Sequence, residues 1–330
     1  MIRIAVLGAG RIGRIHATNA AGNPRCRLVA VADTVAAAAE GLARMLGCEA
    51  ATEPRAMIAR QDVEAIVIGT PTDTHVDLLL EAARQGKAAL CEKPVDLDIR
   101  KVDAAVAEIA RLKARVMVGF NRRFDPSAAA MRQAIDRGEI GEVRQVIITS
   151  RDPEPPPPSY VASSGGIFRD MTIHDFDMAR WLLGEEPREV FAAAGALVDP
   201  GIGAAGDFDT VMVVMRTASG RQCHINNCRQ AAYGYDQRLE VFGVRGMLLN
   251  DNLRPSTLRR YGAGETEVRP PLLNFFLERY AEAYRLELDA FLEAIETGKP
   301  MPLTIEDGRQ ALRLADAALE SAKSGRAVAV

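Results

Sequence analysis

The stretch Ile2–Asp33, IRIAVLGAGRIGRIHATNAAGNPRCRLVAVAD, runs from a short apolar segment through three spaced glycines and returns to an apolar segment that ends on an acid. Ile2 to Leu7 has the length of a buried strand, and Gly8, Ala9, Gly10, Arg11, Ile12, Gly13 follow it as G-x-G-x-x-G. In that pattern Gly8 permits the tight turn, Gly10 lets backbone approach a pyrophosphate, and Gly13 lets the helix pack on the strand. A helix beginning at Arg11 and Ile12 offers N–H groups and a positive dipole end to phosphate. Asp33 stands twenty residues beyond Gly13, at the end of the second strand. A carboxylate there accepts from the adenosine 2′-hydroxyl and repels a 2′-phosphate, so the expected cofactor is NAD rather than NADP. Arg11, which can reach toward a phosphate, works against that preference. The alternative is that Asp33 only caps the next helix.

The same cycle of apolar run, turn and helical periodicity repeats to about residue 121. Leu28–Ala32, Ala65–Ile68, Ala88–Cys91 and Arg115–Val118 are strand candidates, with a weaker one near Glu49. Strand alternating with helix predicts a doubly wound parallel sheet, and near-continuous apolar strands fit burial on both faces. Past Asn121 the runs alternate instead: Val143–Ser150, Val190–Leu197, Thr210–Arg216, Arg221–Cys228 and Arg238–Phe242. The expectation is an α/β chain of two domains. Residues 1–121 form a dinucleotide-binding Rossmann domain, and residues 122–330 an α+β domain on a large, mainly antiparallel open sheet. Helices from about Phe275 to Ile295 and Ile305 to Ala322 close the chain. The prolines at 153 and 155–158 predict a stiff extended loop.

Composition narrows the function classes. Of 330 residues, 48% are hydrophobic and 26% charged, as in soluble globular proteins, and the formal charge of -3 gives no basic excess for a phosphate backbone. No run approaches the roughly 18 apolar residues of a membrane helix, and the opening MIRIAVLGAG is too short for a signal-peptide core. A cytoplasmic protein with no nucleic-acid or membrane partner is expected. The five cysteines, Cys26, Cys48, Cys91, Cys223 and Cys228, read as reduced thiols.

Three further constellations fall where chemistry belongs. The fourth strand runs into Gly69, Thr70, Pro71, Thr72, Asp73, Thr74, His75, at the carboxyl edge of the sheet where ligands of doubly wound folds sit, so Thr70 and His75 are cofactor candidates. Asp73 or Thr72 can equally be a helix cap. The fifth strand delivers Cys91, Glu92, Lys93, Pro94 to that edge. Lys93 is a candidate to meet a substrate oxygen, and Glu92 either holds its ammonium or joins the cofactor site. The third stretch runs from Gly165 to Gly184, with Ile173, Phe176, Arg180 and Leu183 as a helix stripe. Asp170 and His174 lie four apart and share a face if the helix has begun by Asp170. An acid beside an imidazole fixes its tautomer and raises its basicity, as a general base requires. The spacing is not that of a zinc motif, and Cys223, His224 and Cys228 alternate along a strand, so no metal is expected.

Taken together, GAGRIG with His16, GTPTDTH, CEKP, GFNRRFDP, SRDP, SGGIFRDMTIHDFDMARWLLG and AAYGYDQRLEVFG resemble the glucose-fructose oxidoreductase and inositol dehydrogenase superfamily, and within it the bacterial myo-inositol dehydrogenases. The resemblance spans nearly the whole chain. It implies a catalytic triad of Lys93, Asp170 and His174, NAD as cofactor, a small polyol substrate and a homotetramer. The implied activity is oxidation of myo-inositol at C2 to 2-keto-myo-inositol, in inositol catabolism. Relatives acting on scyllo-inositol, D-chiro-inositol or a related sugar are the alternative, and a non-catalytic dinucleotide-binding regulator is a second. A polyol pocket needs many donors and acceptors; Asn121, Arg122, Asp152 and Tyr235 are lining candidates, with Tyr233 competing because YGY leaves the facing ring open.

Overall fold

A computed structural model describes residues 1–330 apart from the side chains of Pro158 and Ala162. The chain divides into two compact units: Met1–Phe124 with Ala283–Leu312, and Asp125–Glu282 with Arg313–Val330. A boundary near 121 does not include the later return of Ala283–Leu312 to the first unit.

The first unit alternates β1 (Ile2–Leu7), α1 (Arg11–Gly22), β2 (Cys26–Ala32), α2 (Ala36–Leu46), β3 (Glu49–Ala51) and α3 (Pro54–Ala59). It continues through β4 (Ala65–Ile68), α4 (His75–Arg84), β5 (Ala88–Glu92), α5 (Ile99–Leu112) and β6 (Val116–Gly119). All the strands pair in parallel, in the order β3-β2-β1-β4-β5-β6. The order reverses beside β1, which places the ends of β1 and β4 at the switch point where dinucleotides bind. Every residue of β4, β5 and β6 is buried, as a sheet covered on both faces demands. Fully enclosed Ile4, Leu7, Ile66 and Ile68 each contribute about 1.5–3 kcal/mol of burial to this core.

The second unit carries a seven-stranded sheet. Its chain runs α6 (Pro126–Asp136), β7 (Val143–Arg151), α7 (Pro158–Ser164), α8 (Ile167–Asp170), α9 (Thr172–Leu183), β8 (Pro187–Gly195) and α10 (Pro200–Ala204). Then come β9 (Thr210–Thr217), β10 (Gln222–Cys228), β11 (Asp236–Gly243), β12 (Gly246–Asn250), the small hairpin β13 (Arg260–Gly262) and β14 (Glu265–Val268), and α11 (Phe276–Arg279). After α12 (Ala281–Thr297) and α13 (Ile305–Ser324), β15 (Val328–Ala329) completes the sheet. The order is β12-β11-β7-β10-β9-β8-β15, antiparallel except for β7 with β10. In β9, Val211, Val213 and Met215 are buried while Met212, Val214 and Arg216 face out, the alternation of a sheet covered on one side. Cross-strand pairing lines up Phe191, Val214, His224, Ile147, Glu240 and Leu249 along the open face.

Two expected helices differ from the observed ones. The helix expected from Phe275 to Ile295 breaks at Tyr280 into α11 and α12. The helix of the Gly165–Gly184 stretch begins at Thr172, so Asp170 belongs to the preceding short turn α8 and the two residues do not share one helix face. Gly184, with φ +66°, ends α9 as the sequence predicts. The prolines at 153 and 155–157 lie outside helix and strand, and Pro158 opens α7 at a position where proline is tolerated. Among the described residues no helix is long and apolar enough to cross a membrane. All five cysteines are free thiols, and burial pushes Cys26 up to about 11.

Candidate active site

In the first unit, the glycine loop owes its shape to close backbone packing. A Cβ at Gly8 would stand 2.4 Å from the Gly69 carbonyl oxygen, and one at Gly13 would stand 1.9 Å from that of Gly8. Gly8 also has φ +98°, a left-handed value that L side chains rarely adopt. Gly10 differs: nothing lies within 4 Å of where its Cβ would be. It is the N-cap of α1, without a side-chain cap, so the open space meets the N-terminus of a helix. That cradle, beside exposed Arg11 and half-buried Ile12, fits a pyrophosphate. Asp33 sits across the loop, its Oδ2 accepting the N–H of Ala9 at 2.7 Å and its Oδ1 that of Val35 at 2.8 Å. The carboxylate therefore shapes the loop from the end of β2.

The two neighbouring strand ends are tied together by His75. Its buried ring lies between the carbonyl oxygens of Thr70, 2.8 Å from Nε2, and Pro94, 2.9 Å from Nδ1. The ring thus stands between the loop after β4 and the turn after β5, able to donate its N–H to a carbonyl of either. Thr70 is half-buried, with its hydroxyl 2.6 Å from that of Thr74. The turn after β5 contains a cis Lys93–Pro94 peptide bond, and Lys93 is half-buried at the carboxyl edge. Glu92 is buried; its Oε1 lies 2.6 Å from His16 Nε2, and its Oε2 accepts the Lys93 backbone N–H at 3.3 Å. Asn121 and Arg122 are buried in the turn that follows β6.

In the second unit, Asp170 ends α8, Met171 separates the helices and His174 is the third residue of α9. Gly165 and Gly166 have φ +84° and +83°, and Asp207 caps α8 by accepting the Ile167 N–H with both oxygens at 3.1 Å. Asp170 accepts from Tyr160 Oη at 2.9 Å and from Arg229 Nη1 at 3.2 Å, which orients its carboxylate and balances its charge. One residue after His174, fully buried Asp175 accepts from Ser150 Oγ at 2.7 Å and Asn227 Nδ2 at 2.8 Å, so the helix start is pinned to β7 and β10.

Asp152 is half-buried just past β7, its N–H bonded to the Cys228 carbonyl at 2.9 Å. The two tyrosines of YGY separate. Tyr235 is buried against the rings of Phe275 and Tyr280, at 5.6 and 6.2 Å between centroids. Tyr233 is exposed, receives Arg151 Nη1 at 2.6 Å and donates to Asp236 at 2.7 Å. Tyr160, Arg229, Asp175 and Glu287 are polar residues in or around these clusters that the sequence reading did not single out. Only Tyr160 and Asp175 carried a signal, through their place beside the glycines and the histidine.

Two family profiles match the chain: one described as an oxidoreductase family with an NAD-binding Rossmann fold, over residues 2–120, and the GFO/IDH/MocA C-terminal domain, over residues 128–249. An inositol 2-dehydrogenase of Rhizobium meliloti is 53% identical over 329 residues, covering 100% of this chain and 99% of its own. The crystal structure of a myo-inositol dehydrogenase from Corynebacterium glutamicum is 49% identical, with a TM-score of 0.97 over 100% of this chain and 99% of that one. A scyllo-inositol dehydrogenase from Lactobacillus casei, solved with NAD(H) and scyllo-inositol, is 30% identical with a TM-score of 0.91, over 100% and 99% of the two chains.

Proposed function

This chain belongs to the GFO/IDH/MocA oxidoreductase family, with an NAD-binding Rossmann domain, and we propose that it is an NAD-dependent inositol 2-dehydrogenase. It oxidises myo-inositol at C2 to 2-keto-myo-inositol. The observation that carries this reading is 53% identity over the whole chain to an inositol 2-dehydrogenase, in a sequence that ends β5 on Glu92 and follows it with Lys93, and that has Asp170 at the end of α8 and His174 in the first turn of α9.

NAD, when bound, supplies the acceptor for the hydride from C2. Gly8, Gly10 and Gly13, with Arg11 and Ile12 at the start of α1, hold its pyrophosphate; Asp33 reads the adenosine ribose, and Thr70 and His75 border the site. His174 takes the proton of the C2 hydroxyl, and Lys93 donates to the same oxygen as negative charge develops on it. Asp170, oriented by Tyr160 and Arg229, fixes the imidazole. Polyol contacts are assigned to Asn121, Arg122, Asp152, Tyr233 and Tyr235, and Glu92 supports the cofactor side through the Lys93 turn.

The protein works in the cytoplasm as a homotetramer in this reading. The apolar side chains Phe191, Met212, Val214, Met247 and Leu249 on the open sheet face, each more than two-fifths exposed in the single chain, support association there. Light scattering on Val214→Arg tests it; a variant of unchanged mass would remove this face from the interface.

The activity is tested by following NADH absorbance with NAD or NADP against myo-inositol, scyllo-inositol, D-chiro-inositol and glucose. The expected result is turnover with NAD, fastest on myo-inositol. His174→Ala should lower kcat by about 10²–10⁴ with NAD binding kept. Fastest turnover of scyllo-inositol would favour the second reading, which the likeness to the Lactobacillus casei enzyme supports.

A further inference from the structure

One cluster of ionisable side chains in the first unit is enclosed, and of its three members only Glu92 has a part in the function just proposed. It joins His16 on α1, Glu92 at the end of β5 and Glu287 on α12, which are 1%, 6% and 0% exposed. One nitrogen or oxygen atom from each lies within 4.8 Å of those of the other two. His16 Nε2 meets Glu92 Oε1, and Glu92 Oε2 takes the backbone N–H of Lys93. The rings of Tyr284 and His16 meet edge to face, with centroids 5.6 Å apart. Gly119 pairs with Glu92 across β5 and β6, and a Cβ there would crowd the carboxylate at 3.0 Å, so bare backbone walls that side.

Glu287 is the anomaly. Both its oxygens are buried, and neither has a hydrogen-bond donor among the described residues. Two ionised carboxylates this close and this buried, with one imidazole beside them, would each lack the solvation that a buried charge requires. Burial first, and the negative charge of Glu92 second, push the Glu287 carboxyl well above the usual carboxylate range.

We infer that Glu287 is a neutral carboxylic acid presenting its proton to the Glu92 carboxylate, and that the triad His16–Glu92–Glu287 is a positioning device for the backbone of Lys93. Glu92 then carries the one negative charge and receives three N–H or O–H groups: His16 Nε2, Glu287 and the Lys93 amide. Fixing that amide fixes where the lysine leaves the strand. This role for Lys93 rests on the function proposed above; the protonation of Glu287 does not.

The test uses the intact protein and three variants, Glu287→Gln, Glu287→Leu and Glu92→Gln, with Lys93→Ala as the reference. At about pH 8, well above the ordinary carboxylate range, the wild type should show an infrared C=O band of a protonated carboxyl that Glu287→Gln lacks. Glu287→Leu, which has nothing to donate, should lower kcat by about tenfold or more with KM for NAD little changed, because a misplaced reacting group slows the chemical step. Glu287→Gln, which donates from its amide, should recover most of that loss, and Glu92→Gln should not recover. Absence of the band, equal loss in Glu287→Gln and Glu287→Leu, or a stoichiometric metal ion in the purified wild type would each overturn the inference. If Glu287→Leu does not fold, the band and Glu287→Gln still decide. If Lys93→Ala turns over like the wild type, the assignment of Lys93 fails, and with it the positioning role, while the band still reports on Glu287.

Discussion

Asp175 accepts a hydrogen bond from Ser150 Oγ at 2.7 Å with both side chains buried, and this joins the first turn of α9 to the sheet one residue beyond His174. Asn227 donates to the other oxygen from β10. Asp175→Ala leaves two buried donors without that acceptor, at a cost of about 3 kcal/mol in unfolding free energy by denaturant titration. Asp175→Asn keeps one oxygen and should lose less. If α9 sets the place of His174, kcat falls in both variants while KM for NAD stays near the wild type. Unchanged kcat in Asp175→Ala would mean that α9 holds its start without this anchor.

The glycine loop separates two roles that one motif contains. Gly13→Ala drives a Cβ into the Gly8 carbonyl, so overpacking should cost about 3 kcal/mol and show as a lower thermal midpoint. Gly10→Ala meets nothing in the protein, and its extended backbone accepts alanine, so stability should stay within about 1 kcal/mol. Its KM for NAD should rise, because the added methyl occupies the space left for the pyrophosphate. Unaltered NAD kinetics in Gly10→Ala would place the phosphate elsewhere.

Asp33 holds the glycine loop and, in the function proposed, also repels a 2′-phosphate, and substitution should reveal both. Asp33→Ala removes the charge that repels a 2′-phosphate, so the preference for NAD over NADP should shrink by about tenfold or more, on the scale of a lost charged hydrogen bond. It also releases the N–H groups of Ala9 and Val35, so KM for NAD should rise and the thermal midpoint fall. Asp33→Asn, which keeps an acceptor, should retain more stability while still relaxing the preference. Kinetics with both cofactors check this, and an unchanged ratio would remove Asp33 from the discrimination.

The parallel sheet was legible because strands buried on both faces are written as uninterrupted apolar runs, and because Gly8 and Gly13 crowd backbone to backbone where no side chain fits. The hairpin β13–β14 was not, since all its residues are exposed and its alternation carries no apolar signal. Asp170 and His174 were legible as residues but not as geometry. The start of α8 is set by two left-handed glycines and by Asp207, whose carboxylate arrives from the loop before β9 to cap it, and the helix then stops at Met171 before α9 begins. Glu287 was invisible for the opposite reason. A glutamate on an amphipathic helix reads as solvated surface, and only tertiary packing turns that face of α12 inward.

Acid should probe the polar cluster at the start of β11. Burial disfavours the charged form of Asp236, but hydrogen bonds from Arg238, Asn252 and Tyr233 outweigh it and hold the carboxyl below its ordinary range. Arg238 donates with Nε at 2.8 Å and Nη2 at 2.9 Å, Asn252 at 2.6 Å and Tyr233 at 2.7 Å. A carboxyl whose folded-state pKa is depressed contributes stability that is complete above its unfolded value of about 4 and is lost as pH falls through the folded one. Protonation must then break contacts that the unfolded chain does not make, so unfolding free energy should drop on acidification below about pH 4. Asp236→Asn should be less stable near neutrality, where the ionised contacts are absent, and should lose less on acidification. Urea titrations across that range read both effects, and an acid limb identical in the two proteins would show that other carboxylates carry the whole dependence.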